Sequence, residues 1–114
     1  MADTIFGKMV RGEIDVDKVW DDEHCIAIRD INPQAPVHVL VIPKKEIATI
    51  DDAQQEDKTL IGHLTLVATE VARKEGFAND GYRLVWNCKD QGGQEVPHIH
   101  LHLLGGRQMK WPPG

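Results

Sequence analysis

An α+β domain with an antiparallel sheet is the fold this chain predicts, and three patterns carry the expectation. Short β-rich runs flank one long stretch of helical periodicity; their order (helix, hairpin, strand, helix, hairpin) holds no repeating βαβ unit. The chain has 114 residues and 41% hydrophobic content, enough for one core and too little for two. Residues 1–114 are therefore taken as a single domain. It should contain a five-stranded antiparallel sheet, one major helix and one short N-terminal helix.

Thr4 to Arg11 groups Ile5, Phe6, Met9 and Val10 on one side of a short helix, and Gly12 is suited to ending it. Lys18–Trp20 and His24–Asp30 read as the strands of a hairpin around the turn-rich Asp21-Asp22-Glu23. In the second strand, Cys25, Ala27 and Arg29 alternate with Ile26, Ile28 and Asp30. The loop Ile31–Pro36 carries two prolines that forbid helix, and Pro43 closes the strand Val37–Ile42. That strand is almost continuously apolar and should be central. From Glu56 to Lys74, Leu60, Ile61, Leu64, Val67 and Val71 recur at helical spacing. Asp51 and Asp52 precede this major helix and Gly76 follows it. Tyr82–Trp86 is a further strand, and the loop Asn87–Gly93 leads to a last one carrying histidines.

A net charge of −5 argues against nucleic-acid or anionic-membrane binding, which needs a basic face. Any phosphate must be held locally. The opening residues lack a basic segment followed by an apolar one, and runs such as Val39–Pro43 are strand-sized. The expectation is a soluble, cytoplasmic protein. Two cysteines, Cys25 and Cys88, suit neither a disulfide framework nor a metal knuckle; small buried residues are the expected role.

The strongest chemical signal is Pro97-His-Ile-His-Leu-His-Leu-Leu104. On a strand, His98, His100 and His102 would share one face at roughly 6.8 Å intervals, with Ile99, Leu101 and Leu103 on the other. A buried imidazole needs partners for both nitrogens and titrates near neutrality, so three in a row call for a reason. The residues alone leave three readings open. They are a solvated face, a zinc site built on His-x-His that needs a further ligand, and a nucleophile or general acid/base flanked by groups that set its tautomer.

With its flanks, the run resembles the histidine triad (HIT) superfamily, specifically the Hint branch of nucleotide-binding phosphoramidases. His98-Ile-His-Leu-His-Leu-Leu104 meets the signature of alternating histidines and apolar residues. Asp30-Ile-Asn-Pro-Gln-Ala-Pro36, Val41-Ile-Pro-Lys-Lys45, Gly92-Gly-Gln94 and Leu103-Leu-Gly-Gly-Arg-Gln-Met109 are similar to the same branch. The resemblance implies a purine nucleoside phosphoramidase without cofactor or metal. In it, His100 is the nucleophile, His98 and His102 orient it and bond in the phosphate site, and His38 assists from a neighbouring strand. It further implies that Asp30 binds the ribose hydroxyls and that Ile5, Phe6, Ile28, Ile31 and Leu40 form a purine slot. Asn87, Gly93 and Gln94 would cradle phosphate. It implies a homodimer whose sheet continues across the two-fold axis, with the tail 105–114 carrying Trp111 to the partner's site. Three positions depart from the branch. Glu95 stands where serine or threonine is usual and should either share a proton or serve the amine leaving group; Pro97 replaces an aromatic residue; Glu46 replaces a histidine found in some relatives.

Overall fold

The computed structural model describes residues 3–114; Met1 and Ala2, which begin the stretch read above for a leader, lie outside it. Helix α1 spans Ile5–Val10. Thr4 caps it by accepting the Gly7 N–H at 3.0 Å, and Gly12 turns the chain away in the left-handed region at φ 77°. Strands β1 (Lys18–Asp21), β2 (Cys25–Arg29) and β3 (Val37–Pro43) are followed by helix α2 (Lys58–Glu75), then β4 (Tyr82–Val85) and β5 (Leu101–Gly105). All pairings are antiparallel and the strand order is β1-β2-β3-β5-β4, with the apolar β3 in the middle. The α+β class, five strands and two helices are as the sequence predicts.

Strand alternation divides the core. Cys25, Ala27, Val39, Val41, Leu101 and Leu103 face α2, whose Leu64, Val67, Ala68, Val71 and Ala72 cover them. Ile26, Ile28, Leu40 and Ile42 point the other way and pack with Phe6 of α1. His38 and His102 share this second face. The register sets Leu40 opposite His102 and His38 opposite Leu104, so the two imidazoles are diagonal neighbours across β3 and β5. One face thus supplies stability and the other a lining for chemistry. Asp22 ties the β1–β2 turn to α2: one carboxylate oxygen accepts the His24 and Cys25 amides at 2.7 and 2.9 Å, and the other meets Trp20 Nε1 at 2.8 Å and His63 Nε2 at 2.7 Å.

Two boundaries differ from the sequence reading. The major helix starts at Lys58, not Glu56, because Ile50–Asp52 and Gln55–Asp57 form separate 3-10 turns. Asp52 caps the first of these, and Asp57 accepts the Gln54 amide at 2.9 Å while pairing with Lys45. The histidine strand starts at Leu101, not His98. The His98 amide donates to Val96 O at 2.9 Å and the Ile99 amide to Ile47 O at 2.8 Å, so this backbone is engaged away from β3 and β4. The three imidazoles therefore do not line one strand face.

At the end of β5, a Cβ on Gly105 would overlap the Phe77 ring, which lies among the core residues under α2. Gly105→Ala is expected to cost about 1–3 kcal/mol through overpacking, read as a lowered midpoint in thermal or urea unfolding. An unchanged midpoint would show that Phe77 can move aside freely.

Candidate active site

On the α1 side of the sheet lies a cleft of about 900 Å³. Phe6, Ile28 and Leu40 form its buried apolar wall, with Ile5 half open at 49% exposure and Ile31 fully exposed at 101% on the rim. Asp30, His38, Asn87, Gly93, Glu95, His100 and His102 supply its polar lining. These groups come from the residue after β2, from β3, from the loop after β4, and from β5 and its approach.

Hydrogen bonds fix the state of each imidazole. His100 lies against the edge of Phe6, ring centres 4.7 Å apart, and its Nδ1 is 2.8 Å from the His98 carbonyl. A carbonyl only accepts, so Nδ1 carries the proton and Nε2 keeps its lone pair. The Gln34 backbone N–H donates to His38 Nδ1 at 3.0 Å, which leaves the His38 proton on Nε2, 2.9 Å from His102 Nδ1 and 3.5 Å from Asp30 Oδ2. His102 thus accepts at Nδ1 and holds its own proton on Nε2. That nitrogen lies 3.4 Å from the Asn87 side-chain amide, which must turn its oxygen toward it. One backbone N–H therefore orders two imidazoles and an amide.

Burial holds all three rings uncharged. It pushes His38 and His100 below the ordinary histidine value and takes His102 down to about 4, with nearby His100 and His38 adding to the last shift. The folded state then binds fewer protons than the unfolded chain in mild acid. Stability contributed by His102 is fully present above its unfolded value of 6.5 and is lost as pH falls toward 4, at up to about 1.4 kcal/mol per pH unit. Urea unfolding between pH 7 and pH 4 is expected to show this loss, and His102→Gln should flatten it; an equal slope in that variant would assign the loss elsewhere.

Three residues singled out in the sequence lie outside the cleft lining. His98 is completely buried; its Nε2 donates to Pro43 O at 2.8 Å, and its link to the site is the carbonyl that fixes His100. Gln94 spends its side chain on backbone groups, donating to Ala48 O of the segment after β3 at 2.7 Å and to Val96 O at 3.0 Å and accepting the Lys89 amide at 2.9 Å. Trp111 sits on the tail, 81% exposed. In the same loop the Gly93 amide is taken by Asp90 O and the Gln94 amide by Lys89 O, and a Cβ on Gly92 would overlap the Cys88 backbone. The loop is therefore a compact, self-bonded turn.

Sequence reasoning missed Gln34, Arg29, Asp15 and Asp17. Gln34 acts through its amide, which no side-chain pattern reveals. The others line the cleft mouth, where Arg29 pairs with Asp17 at 3.3 Å and with Glu75 at 2.5 Å. Among the described residues, two groups have donor atoms close enough to hold a metal: Asp30, His38 and His102 in the cleft, and Asp22, Cys25 and His63 at the β1–β2 turn. In both, the donors are already bonded to one another or to backbone. Cys25 is buried and its thiol is pushed up to about 12 by burial and by Asp22; Cys88 is half-buried. No described helix is long and apolar enough to cross a membrane.

The HIT domain family matches residues 11–109. An uncharacterized HIT-like protein of Synechococcus elongatus is 54% identical over 112 residues, covering 98% of this chain and 97% of that one. A HIT family hydrolase from Legionella pneumophila Philadelphia 1 superposes with TM-score 0.94 at 54% identity, covering 96% and 98% of the two chains. A histidine triad protein from Clostridium difficile does so with TM-score 0.92 at 38% identity, covering 96% of each.

Proposed function

The chain belongs to the HIT domain family, and from that premise we propose that it is a hydrolase of purine nucleoside phosphoramidates, splitting the P–N bond of an AMP-amine, or the P–O bond of an acyl-AMP relative, through a nucleotidyl-histidine. The observation that carries the reading is the free lone pair on His100 Nε2, in a neutral ring held by the His98 carbonyl at the wall of a cleft. A neutral imidazole is nucleophilic near pH 7, and its phosphoryl adduct is readily displaced by water. His100 Nε2 attacks the α-phosphorus; the P–N bond breaks with its electron pair going to nitrogen, which takes a proton and leaves as the amine. Positive charge gathering on the ring is shared with the His98 carbonyl through Nδ1–H. Water then attacks the adduct and AMP departs.

The other residues serve this step. His102 Nε2–H, ordered from the Gln34 amide, can turn from its long 3.4 Å contact with Asn87 to a phosphoryl oxygen as negative charge builds there. Asn87 and Gly93 bound the same space, and Asp30 offers carboxylate oxygens to a ribose. The apolar wall of Ile5, Phe6, Ile28, Ile31 and Leu40 suits a flat purine. Homodimerisation through the sheet edge, with Trp111 reaching the partner's cleft, and a cytoplasmic location belong to the same proposal, as does a reaction without metal or cofactor.

Release of AMP from AMP-tryptamine, followed by chromatography with and without EDTA, tests the activity. AMP release insensitive to chelator is expected. Binding of AMP with no hydrolysis of any phosphoramidate would favour a nucleotide sensor, and faster cleavage of diadenosine polyphosphates would favour the rival hydrolase class.

A further inference from the structure

The charged groups around the cleft are unbalanced in a way that bears on what leaves the phosphorus. Four carboxylates line it, Asp15, Asp17, Asp30 and Glu95, against one guanidinium, Arg29. Arg29 is already held between Asp17 and Glu75, the latter outside the cleft. The three lining imidazoles are neutral for the reasons above. Among the described residues of one chain no lysine lines the cleft, so a chain of phosphates would find no free permanent cation in its lining and several negative charges. Favourable binding of a polyanion calls for the opposite arrangement.

Of these carboxylates, Glu95 is the one carried by the same segment as the nucleophile, the approach to β5. It lines the cleft with His100 and Gly93, while Asp30 sits just after β2 and bonds the Asn32 amide at 2.8 Å. The backbone that carries Glu95 is anchored beside it: Gln94 makes three side-chain hydrogen bonds that staple the loop to Ala48, Lys89 and Val96. Its own carboxylate has no hydrogen-bond or ion-pair partner among the described residues and is exposed to an incoming ligand. An unpaired carboxylate lining the same cleft as the attacking nucleophile attracts a cation and repels an anion.

We infer that the cleft selects nucleoside phosphoramidates whose leaving amine carries an additional positive charge, that Glu95 is the residue recognising that charge, and that polyphosphate leaving groups are disfavoured. The inference rests on the hydrolase reading and narrows its substrate class. The bond changes are those already given: the P–N electron pair stays on nitrogen, which takes a proton from water, while the second ammonium is unchanged and stays paired with Glu95 until the amine departs.

The test compares AMP joined through P–N to ethylenediamine, to propylamine and to glycine, three leaving groups of similar length with a free ammonium, a neutral methyl and a carboxylate, alongside diadenosine tetraphosphate. In the wild-type protein kcat/KM is expected to fall by about tenfold from the ammonium to the neutral substrate and again to the carboxylate, with the tetraphosphate poorest. Glu95→Gln, an exposed isosteric change, should bring the ammonium and neutral substrates within about twofold of each other. A wild-type protein that releases AMP from all three equally, or a Glu95→Gln variant that keeps the full preference, overturns the inference alone. Absence of AMP release from every phosphoramidate would instead bring down the hydrolase reading on which it stands.

Discussion

His100→Ala is expected to lower kcat for phosphoramidate hydrolysis by more than about a thousandfold, roughly 4 kcal/mol of transition-state stabilisation, while AMP still binds. The reason is local. His100 is the lining imidazole whose proton is fixed on the nitrogen away from the cleft, so its lone pair faces substrate; His102 carries its proton on the opposite nitrogen. His102 cannot take over the attack without breaking its bond to His38. His100 is also packed against Phe6, so truncation leaves a small void. His100→Asn, which keeps more of the volume, should be equally inactive if nucleophilicity is what is lost. Rates comparable to wild type in either variant, with AMP affinity preserved by calorimetry, would remove His100 from the chemistry.

His102→Phe should produce the next largest effect, about a hundredfold loss in kcat with a smaller change in KM. The substitution keeps a planar ring in a half-buried position but removes the Nε2–H meant for the phosphoryl oxygen and the acceptor for His38 Nε2–H. His102→Gln restores an N–H donor at similar reach and should recover about tenfold of that loss. If phenylalanine and glutamine are equally poor, the ring contributes shape and not a hydrogen bond; if both are as active as wild type, the chain from Gln34 through His38 has no part in turnover.

The fold was legible because its elements follow simple periods. The Cys25–Arg29 and Val37–Pro43 strands separate cleanly into a face against α2 and a face against α1, and Gly12 and Gly76 stand in the left-handed region where the helices end. Less was legible where backbone partners override pattern. His98, His100 and His102 alternate as a strand should, yet Val96 O and Ile47 O engage the His98 and Ile99 amides and delay the ladder to Leu101. The family resemblance implies a place for Gln94 in a phosphate cradle, while in the structure its amide bonds Ala48 O and Val96 O and holds the loop. The Gln34 amide that sets two tautomers and the saturated Arg29 depend on tertiary geometry alone. Composition told the sign of the whole chain but not that its acidic groups converge at one cleft.

The central claim is that a neutral His100 attacks phosphorus and becomes nucleotidylated on Nε2. Rapid quenching of the protein with radiolabelled AMP-tryptamine into alkali, followed by peptide mapping, measures this directly. Label on the peptide containing His100, absent in His100→Ala and appearing within the first turnover, is the expected result. Hydrolysis of the labelled substrate with no protein-bound nucleotide at any quench time, or label on another residue, would contradict it.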